Sequence, residues 1–111
     1  MPSFTITRYS VRLFSSRPSA DKPEIATIQL YSASPDSTTH GWMHFYPDGV
    51  ELPPPVILEN MIQLYYHAAQ LGVVLQFLRE ESPLMLSGFE STASLWTLNH
   101  EPVGEEEGPA G

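Results

Sequence analysis

Residues 60–78 constrain the fold of this chain more than any other stretch, because they contain no charged side chain although the chain carries a net charge of −8. The spacing of the apolar residues in this stretch predicts that it belongs to one long helix, which begins near residue 56 and ends near residue 80.

The predicted helix has two apolar stripes. The first repeats at intervals of four and three residues and comprises Ile57, Met61, Leu64, Ala68, Leu71, Leu75 and Leu78. The second lies on the opposite side and comprises Ile62, Tyr66, Ala69, Val73 and Phe77. A helix that packs on one sheet needs a single apolar face. We therefore expect the second stripe to be an interface between two copies of the chain.

Gly72 leaves an alternative open for the second half of this run. Leu71 and Gly72 could end a helix, and residues 73–78 would then form a buried strand. We prefer the continuous helix because the first stripe keeps its phase through Gly72.

The other periodic segments predict strands. Alternating patterns place three of them before the helix, at residues 4–14, 24–32 and 39–46, and two after it, at residues 84–89 and 93–99. A turn is predicted at residues 46–49, followed by a short strand at residues 50–52. The order β-β-β-(β)-α-β-β predicts an α+β fold in which one antiparallel sheet of about five to six strands carries one long helix on one face.

The first strand changes its apolar phase. Phe4 and Ile6 share one parity, whereas Tyr9, Val11 and Leu13 have the other. A strand can keep both sets in the core if it contains a β-bulge, which we place near Thr7–Arg8.

With 111 residues, the chain is expected to form a single domain over residues 1–100. The remaining residues, 101–111, are rich in glutamate, glycine and proline and predict a disordered acidic tail. The absence of cysteine excludes disulfides and thiolate metal sites.

The charge balance bears on partners and location. Only 5 basic residues stand against 13 acidic ones, so nucleic-acid binding is disfavoured and a basic protein partner is possible. The polar residues within 56–78 argue against a membrane span. We expect a cytoplasmic protein. The alternative is a mitochondrial one, because residues 1–20 contain arginines and serines but no acid, as transit peptides do.

No catalytic, metal-binding or nucleotide-binding motif is recognisable, so we expect no cofactor and a non-enzymatic interaction or regulatory domain that forms a homodimer. His40 and His44 on a strand lie roughly 13 Å apart, too far to share one zinc ion.

Trp42, His44 and Tyr46 share one face of the third strand and are the candidate lining of a ligand pocket. The alternative function is therefore a small-ligand-binding protein or an enzyme at this row. On the first strand, Arg8 and Arg12 point to one side, where they could pair with an acid or contact an anionic ligand. A second alternative is single-stranded nucleic-acid binding by stacking on Trp42, Tyr46 or Trp96.

Overall fold

The computed structural model describes residues 2–15, 23–32, 38–80 and 83–97, and within them the chain has an α+β fold. The strands and helices follow in the order β1 Ser3–Ile6, β2 Arg8–Leu13, β3 Ala26–Tyr31, β4 Thr39–Tyr46, β5 Val56–Ile57, β6 Ile62–His67, a 3-10 turn Ala68–Gln70, α1 Leu71–Glu80, β7 Leu84–Phe89 and β8 Thr92–Thr97. The α+β class is confirmed, but the single sheet is wrong, because the strands divide between two sheets.

The larger sheet has five strands in the order β2-β3-β4-β6-β5, and the smaller sheet has three in the order β1-β7-β8. All neighbouring strands are antiparallel except β4 and β6, which are parallel. The buried apolar side chains come from both sheets and from α1. They are Ile6, Ala26, Ile28, Leu30, Met43, Phe45, Ile62, Leu64, Leu78, Leu84 and Leu86.

The chain passes from the smaller sheet to the larger one at Thr7. β1 pairs with β7, β2 pairs with β3, and the Thr7 backbone N–H donates to the Tyr31 carbonyl over 3.1 Å. The predicted phase switch is real, but its cause is this change of sheet and not a bulge within one strand. Ile6, before this change of sheet, and Tyr9, after it, both pack in the same core.

The predicted helix over residues 56–80 is wrong in its first half. Residues 62–67 form β6, which lies between β4 and β5 in the larger sheet, and α1 begins only at Leu71. In β6, Ile62 and Leu64 are buried and Gln63 and Tyr65 are half-buried, so the run carries no charge although only one face points to the core. The β-branched and aromatic side chains of Ile62, Tyr65 and Tyr66 also favour a strand. The predicted helical stripe includes Leu64 of this strand, and Leu64 would face the core in a helix as it does in β6.

The second half of the run is helical, so the alternative of a strand at residues 73–78 is also wrong. Leu71, Val74, Leu75 and Leu78 of α1 pack against the core. The phase of the first stripe beyond Gly72 therefore predicted this helix correctly, since these positions recur every three or four residues.

The segment before β6 also differs from the prediction. The Val50 N–H donates to the Pro47 carbonyl over 3.3 Å, and Gly49 has a φ of 87°. The turn is therefore centred one residue later than predicted, with Gly49 in the position that requires positive φ. Residues 50–52 form no strand. The short strand of this segment is β5, Val56–Ile57, which pairs with β6.

Gly41 lets the two sheets approach each other closely. A Cβ atom at this position would lie 2.5 Å from Leu86 Cδ2 and 3.1 Å from Leu30 Cδ1. Gly41 belongs to the larger sheet and Leu86 to the smaller one, so the spacing of the layers at this point depends on the missing side chain.

The C-terminal hairpin is confirmed. β7 and β8 pair without interruption, and Glu90 and Ser91 form the loop between them. The predicted acidic tail, residues 101–111, lies outside the described residues, as does most of the predicted loop at residues 15–23. In the described part of the chain, no helix is long and apolar enough to cross a membrane.

Candidate functional site

An apolar groove opens between α1 and the two sheets, with a volume of about 400 Å3. Its lining comprises Met43, Tyr66, Ala69, Gln70, Val73, Val74, Phe77 and Leu95. Four of the five residues predicted for the interface line this groove. The fifth, Ile62, does not, because it is 0% exposed within β6 and cannot contact a partner. The predicted residues therefore do not form one helix face, but most of them meet at one surface.

Three kinds of element bring the groove residues together. Tyr66 stands near the end of β6, Ala69 lies in the 3-10 turn, and Val73 and Phe77 belong to α1. These residues are three or four positions apart. They lie on one side of the chain because the chain becomes helical immediately after β6. Leu95 of β8 closes the groove from the smaller sheet.

Hydrogen bonds fix the junction between β6 and α1. The Asp48 carboxylate accepts from the Ala69 N–H over 3.0 Å, and the Gln70 side-chain oxygen accepts from the His67 N–H over 3.0 Å. The His67 Nε2 atom lies 2.7 Å from the Val50 carbonyl, to which it donates in the Nε2-protonated tautomer. His67 ends β6 and anchors this turn.

The groove is accessible to solvent at α1. Val73 is 71% exposed. Tyr66 is half-buried, and its ring stacks on Phe45 with centroids 5.4 Å apart. Burial raises the pKa of Tyr66, so its hydroxyl stays neutral at physiological pH. The lining of the groove thus offers apolar contact without any formal charge.

The second candidate surface is the open face of the larger sheet, which points away from the core. The strand register places the polar and aromatic side chains of four strands on it, namely Arg8, Ser10, Arg12, Thr27, Gln29, Tyr31, Trp42, His44, Tyr46, Gln63, Tyr65 and His67. The predicted row of Trp42, His44 and Tyr46 lies in the middle of this face.

His44 is enclosed by groups of its own chain. Its Nε2 atom lies 2.8 Å from Gln63 Oε1. Its Nδ1 atom lies 3.2 Å from a Glu24 carboxylate oxygen, at ion-pair distance but without the alignment of a hydrogen bond. The ring stacks on Tyr65 with centroids 4.9 Å apart, and the side chain is only 14% exposed. A ligand could reach a nitrogen of His44 only by displacing Gln63 or Glu24.

Two tyrosines flank this histidine. The rings of Tyr46 and Tyr65 meet edge to face with centroids 5.8 Å apart. Burial raises the pKa of both hydroxyls, and the negative charge of Glu24 raises them further. Both side chains therefore remain neutral hydrogen-bonding groups at physiological pH.

Trp42 lines a cavity of about 200 Å3 beside this cluster, together with Ser10, Val11, Arg12, Thr27 and Gln29. Within the described ranges, Arg12 forms no ion pair. The Gln29 amide donates to Thr39 Oγ1 over 2.6 Å, which fixes its orientation. A cation, an amide and an indole thus face one space, an arrangement that suits a planar molecule with an anionic group.

The sequence pointed to parts of this cavity only. It placed Trp42 on one strand and Arg12 on another, but it did not identify Thr27 and Gln29. The signal that unites them is the cross-strand register, in which Arg12 stands opposite Thr27, and Gln29 stands between Ser10 and Trp42. Register across a sheet depends on pairing that a single sequence does not specify.

His40 and Trp96 lie apart from the row. An irregularity at Tyr31 shifts the register, and the His40 ring stacks on Phe4 of the smaller sheet with centroids 4.2 Å apart. The Trp96 indole N–H donates to Ser87 Oγ over 3.0 Å, also on the smaller sheet. Among the described residues, no three potential metal ligands come together.

Comparison with protein-family models, curated proteins and solved structures gave no match for this chain.

Proposed function

We propose that this chain is a non-enzymatic protein-interaction domain that forms a homodimer through the apolar groove. The observation that supports this most directly is the convergence of Tyr66, Val73, Phe77 and Leu95 on one solvent-accessible surface without a formal charge. Surfaces of this kind on folded domains are typically interaction sites.

Removing the groove lining from water favours association. Burial of apolar surface contributes about 25 cal/mol per Å2, so covering Val73 and the exposed edge of Phe77 offers a few kcal/mol against the entropy of association. A basic partner gains little at this place, because no acidic side chain lines the groove. A second copy brings an equally uncharged surface, which makes it the better match.

Sedimentation at micromolar concentration tests the proposal with a matched pair of variants. Val73→Glu places a charge in the groove, whereas Leu13→Glu places one on the edge strand β2. The two side chains are similarly exposed, at 71% and 69%. We expect dimers for the wild type and Leu13→Glu, and monomers for Val73→Glu. A monomeric wild type would refute the proposal.

A second candidate function is binding of a small planar anion in the Trp42 cavity. It is favoured by the position of Arg12 beside Trp42 and Gln29. Benzoate should raise the melting temperature and change the fluorescence of Trp42 in a Trp96→Phe background, whereas neutral benzamide should do neither. An unchanged benzoate response in Arg12→Gln would exclude this site.

Single-stranded nucleic-acid binding has less support. Trp42 and Tyr46 lie on the larger sheet, but Trp96 lies on the smaller one, so the three rings offer no common stacking surface. Absence of binding to mixed oligonucleotides at low salt would remove this function.

The proposed location is the cytoplasm, with mitochondria as the alternative. Residues 3–13 form β1 and β2, which pair with β7 and β3. This supports a folded segment over a cleaved transit peptide, since cleavage would remove both strands.

A further inference from the structure

β8 differs from the other strands at the sheet edges. The two sheets end in four strands, which are β2 and β5 in the larger sheet and β1 and β8 in the smaller one. β2 carries Arg8 and Arg12, β5 has only two residues, and β1 has four. β8 has six residues and contains no charge, no proline and no register shift. Natural sheets usually protect their edges with such features, and β8 has none of them.

Among the described residues, nothing pairs with the outer side of β8. Its ladder joins it to β7 alone, and in the described part of the chain no other backbone hydrogen bond involves residues 92–97. Half of its backbone N–H and C=O groups therefore point away from β7, where they form a template for an added strand.

The same edge adjoins the groove. Leu95 projects from β8 toward the core side and lines the groove together with Val74 and Phe77 of α1. The smaller sheet has only three strands against five in the larger one, and it ends at β8. A strand added at this edge extends the smaller sheet beside the groove and brings further side chains against it.

We propose that the added strand is β8 of a second copy, so that two smaller sheets join in antiparallel fashion into one sheet of six strands, three from each copy. This inference rests on the proposed homodimer and specifies how the two copies meet. A two-fold axis makes the contact self-complementary and requires the two β8 strands to run antiparallel.

Charge favours a second copy over a partner of opposite charge. β7 and β8 contain no charged residue in a chain with a net charge of −8, so this edge neither attracts a basic protein nor repels its own copy. Antiparallel pairing also places the two Glu90 side chains at opposite ends of the joined strands, whereas a parallel arrangement would set them side by side.

Disulfide trapping tests this arrangement directly, because the natural chain has no cysteine. Each residue from 92 to 97 is replaced in turn by cysteine, and the protein is oxidised mildly at micromolar concentration. Ser3→Cys is the matched control, since Ser3 and Ser94 are both exposed and lie on either side of Ser87 at opposite edges of the smaller sheet. A disulfide requires Cα atoms within about 7 Å.

We expect cross-linked dimers to peak at one position of β8 and to be absent for Ser3→Cys. In addition, Ser94→Lys should weaken dimerisation by about tenfold or more, because it puts a like charge on each of the two joined strands, and Ser3→Lys should not.

The failure of this inference is distinguishable from failure of the proposed function. If the wild type is dimeric and Val73→Glu is monomeric, but no β8 position cross-links above the control, the edge-to-edge contact is wrong and the groove interface stands. If the wild type is monomeric, both are wrong.

Discussion

The apolar groove and the open face of the larger sheet differ in how far their side chains find interaction partners within the chain. On the open face, polar groups find partners within the chain. Ser10 Oγ lies 2.9 Å from the Tyr31 hydroxyl, and His44 lies between Gln63 and Glu24. In the groove, Val73 is 71% exposed, and the described residues that line the groove around it carry no charge.

The difference shows which surface argues for a second molecule. Water can hydrogen-bond to the exposed polar groups that this face leaves unpaired, so most of the face needs no partner. Water cannot compensate an apolar side chain in this way, and only another apolar surface relieves the cost. Mixed aromatic and polar rows attract notice in a sequence, yet here the uncharged groove makes the stronger physical case for association.

The largest expected effect comes from placing the same negative charge on each of the two surfaces in turn and measuring dimerisation. Ala69→Glu adds a carboxylate to the groove and should weaken dimerisation by about a hundredfold, which corresponds to roughly 3 kcal/mol. Ser10→Glu adds the same group beside Arg12 and should abolish the benzoate response while the dimer persists. Sedimentation and thermal shift read the two outcomes. Equal effects of both variants on dimerisation would contradict the comparison.

The next effect concerns the layer spacing on which both surfaces depend. Gly41→Ala should destabilise the fold by about 1–3 kcal/mol, because its Cβ would clash with Leu86 and Leu30 in a packed core. Gly72→Ala is the control of opposite sign. It has nothing within 4 Å of the new Cβ and should stabilise α1 by about 1 kcal/mol. Urea denaturation measures both, and destabilisation by Gly72→Ala would be inconsistent with the exposed helix position.

A smaller effect should separate folding from association. Gln63→Leu leaves Nε2 of the nearly buried His44 without its partner and should lower the free energy of unfolding by about 1–2 kcal/mol. The dimer dissociation constant should not change, because Gln63 lies on the open face. A large loss of dimer in this variant would mean that the open face contributes to the interface.

The smallest effect is a pH dependence at alkaline pH. Tyr46 and Tyr65 on the open face and Tyr66 in the groove have pKa values above the usual value of about 10, chiefly because of burial. The folded state keeps these protons after the unfolded chain has lost them. The contribution to stability is therefore full below about pH 10 and is lost as the pH rises through the folded pKa values.

Tyrosinate absorbance measures this dependence. The native protein should absorb less than the denatured protein just above about pH 10, and Tyr66→Phe should reduce the difference. Coincident titration curves for the two states would show that the tyrosines are not shielded.

Several elements could be predicted from the sequence because local pattern decides them. β3, β4, β7 and β8 are short, alternate in polarity and end at turn residues, and the predicted segments match them closely. The helical phase after Gly72 also held. These features depend on neighbours within a few residues.

Other features depend on which strands pair, and the sequence does not contain that information in local form. The uncharged run reads as one helix although it changes from a central strand to a helix near His67. The division into two sheets at Thr7 is visible only as a change of parity, which a bulge would also produce.

The candidate site was predicted in part for a reason that proved wrong. A helical period puts Tyr66, Ala69, Val73 and Phe77 on one face, but in the structure they meet because a strand end, a turn and a helix follow one another. The prediction of Ile62 as an interface residue is wrong because residues 62–67 form a strand, in which the helical period does not apply. Leu95 lines the groove only because the tertiary fold brings β8 beside α1, and no local sequence pattern indicates this position.

The pairing of β1 with β7 has a consequence for synthesis of the chain. Ser3 and Ser87 are 84 residues apart, and their hydroxyl oxygens lie 3.3 Å from each other in the folded protein. On the ribosome, which adds about 5–20 residues each second, the first strand must wait several seconds for a neighbour. Until residues 84–89 emerge, Phe4 and Ile6 have no smaller sheet to join, so the apolar side chains of β1 lack their final neighbours.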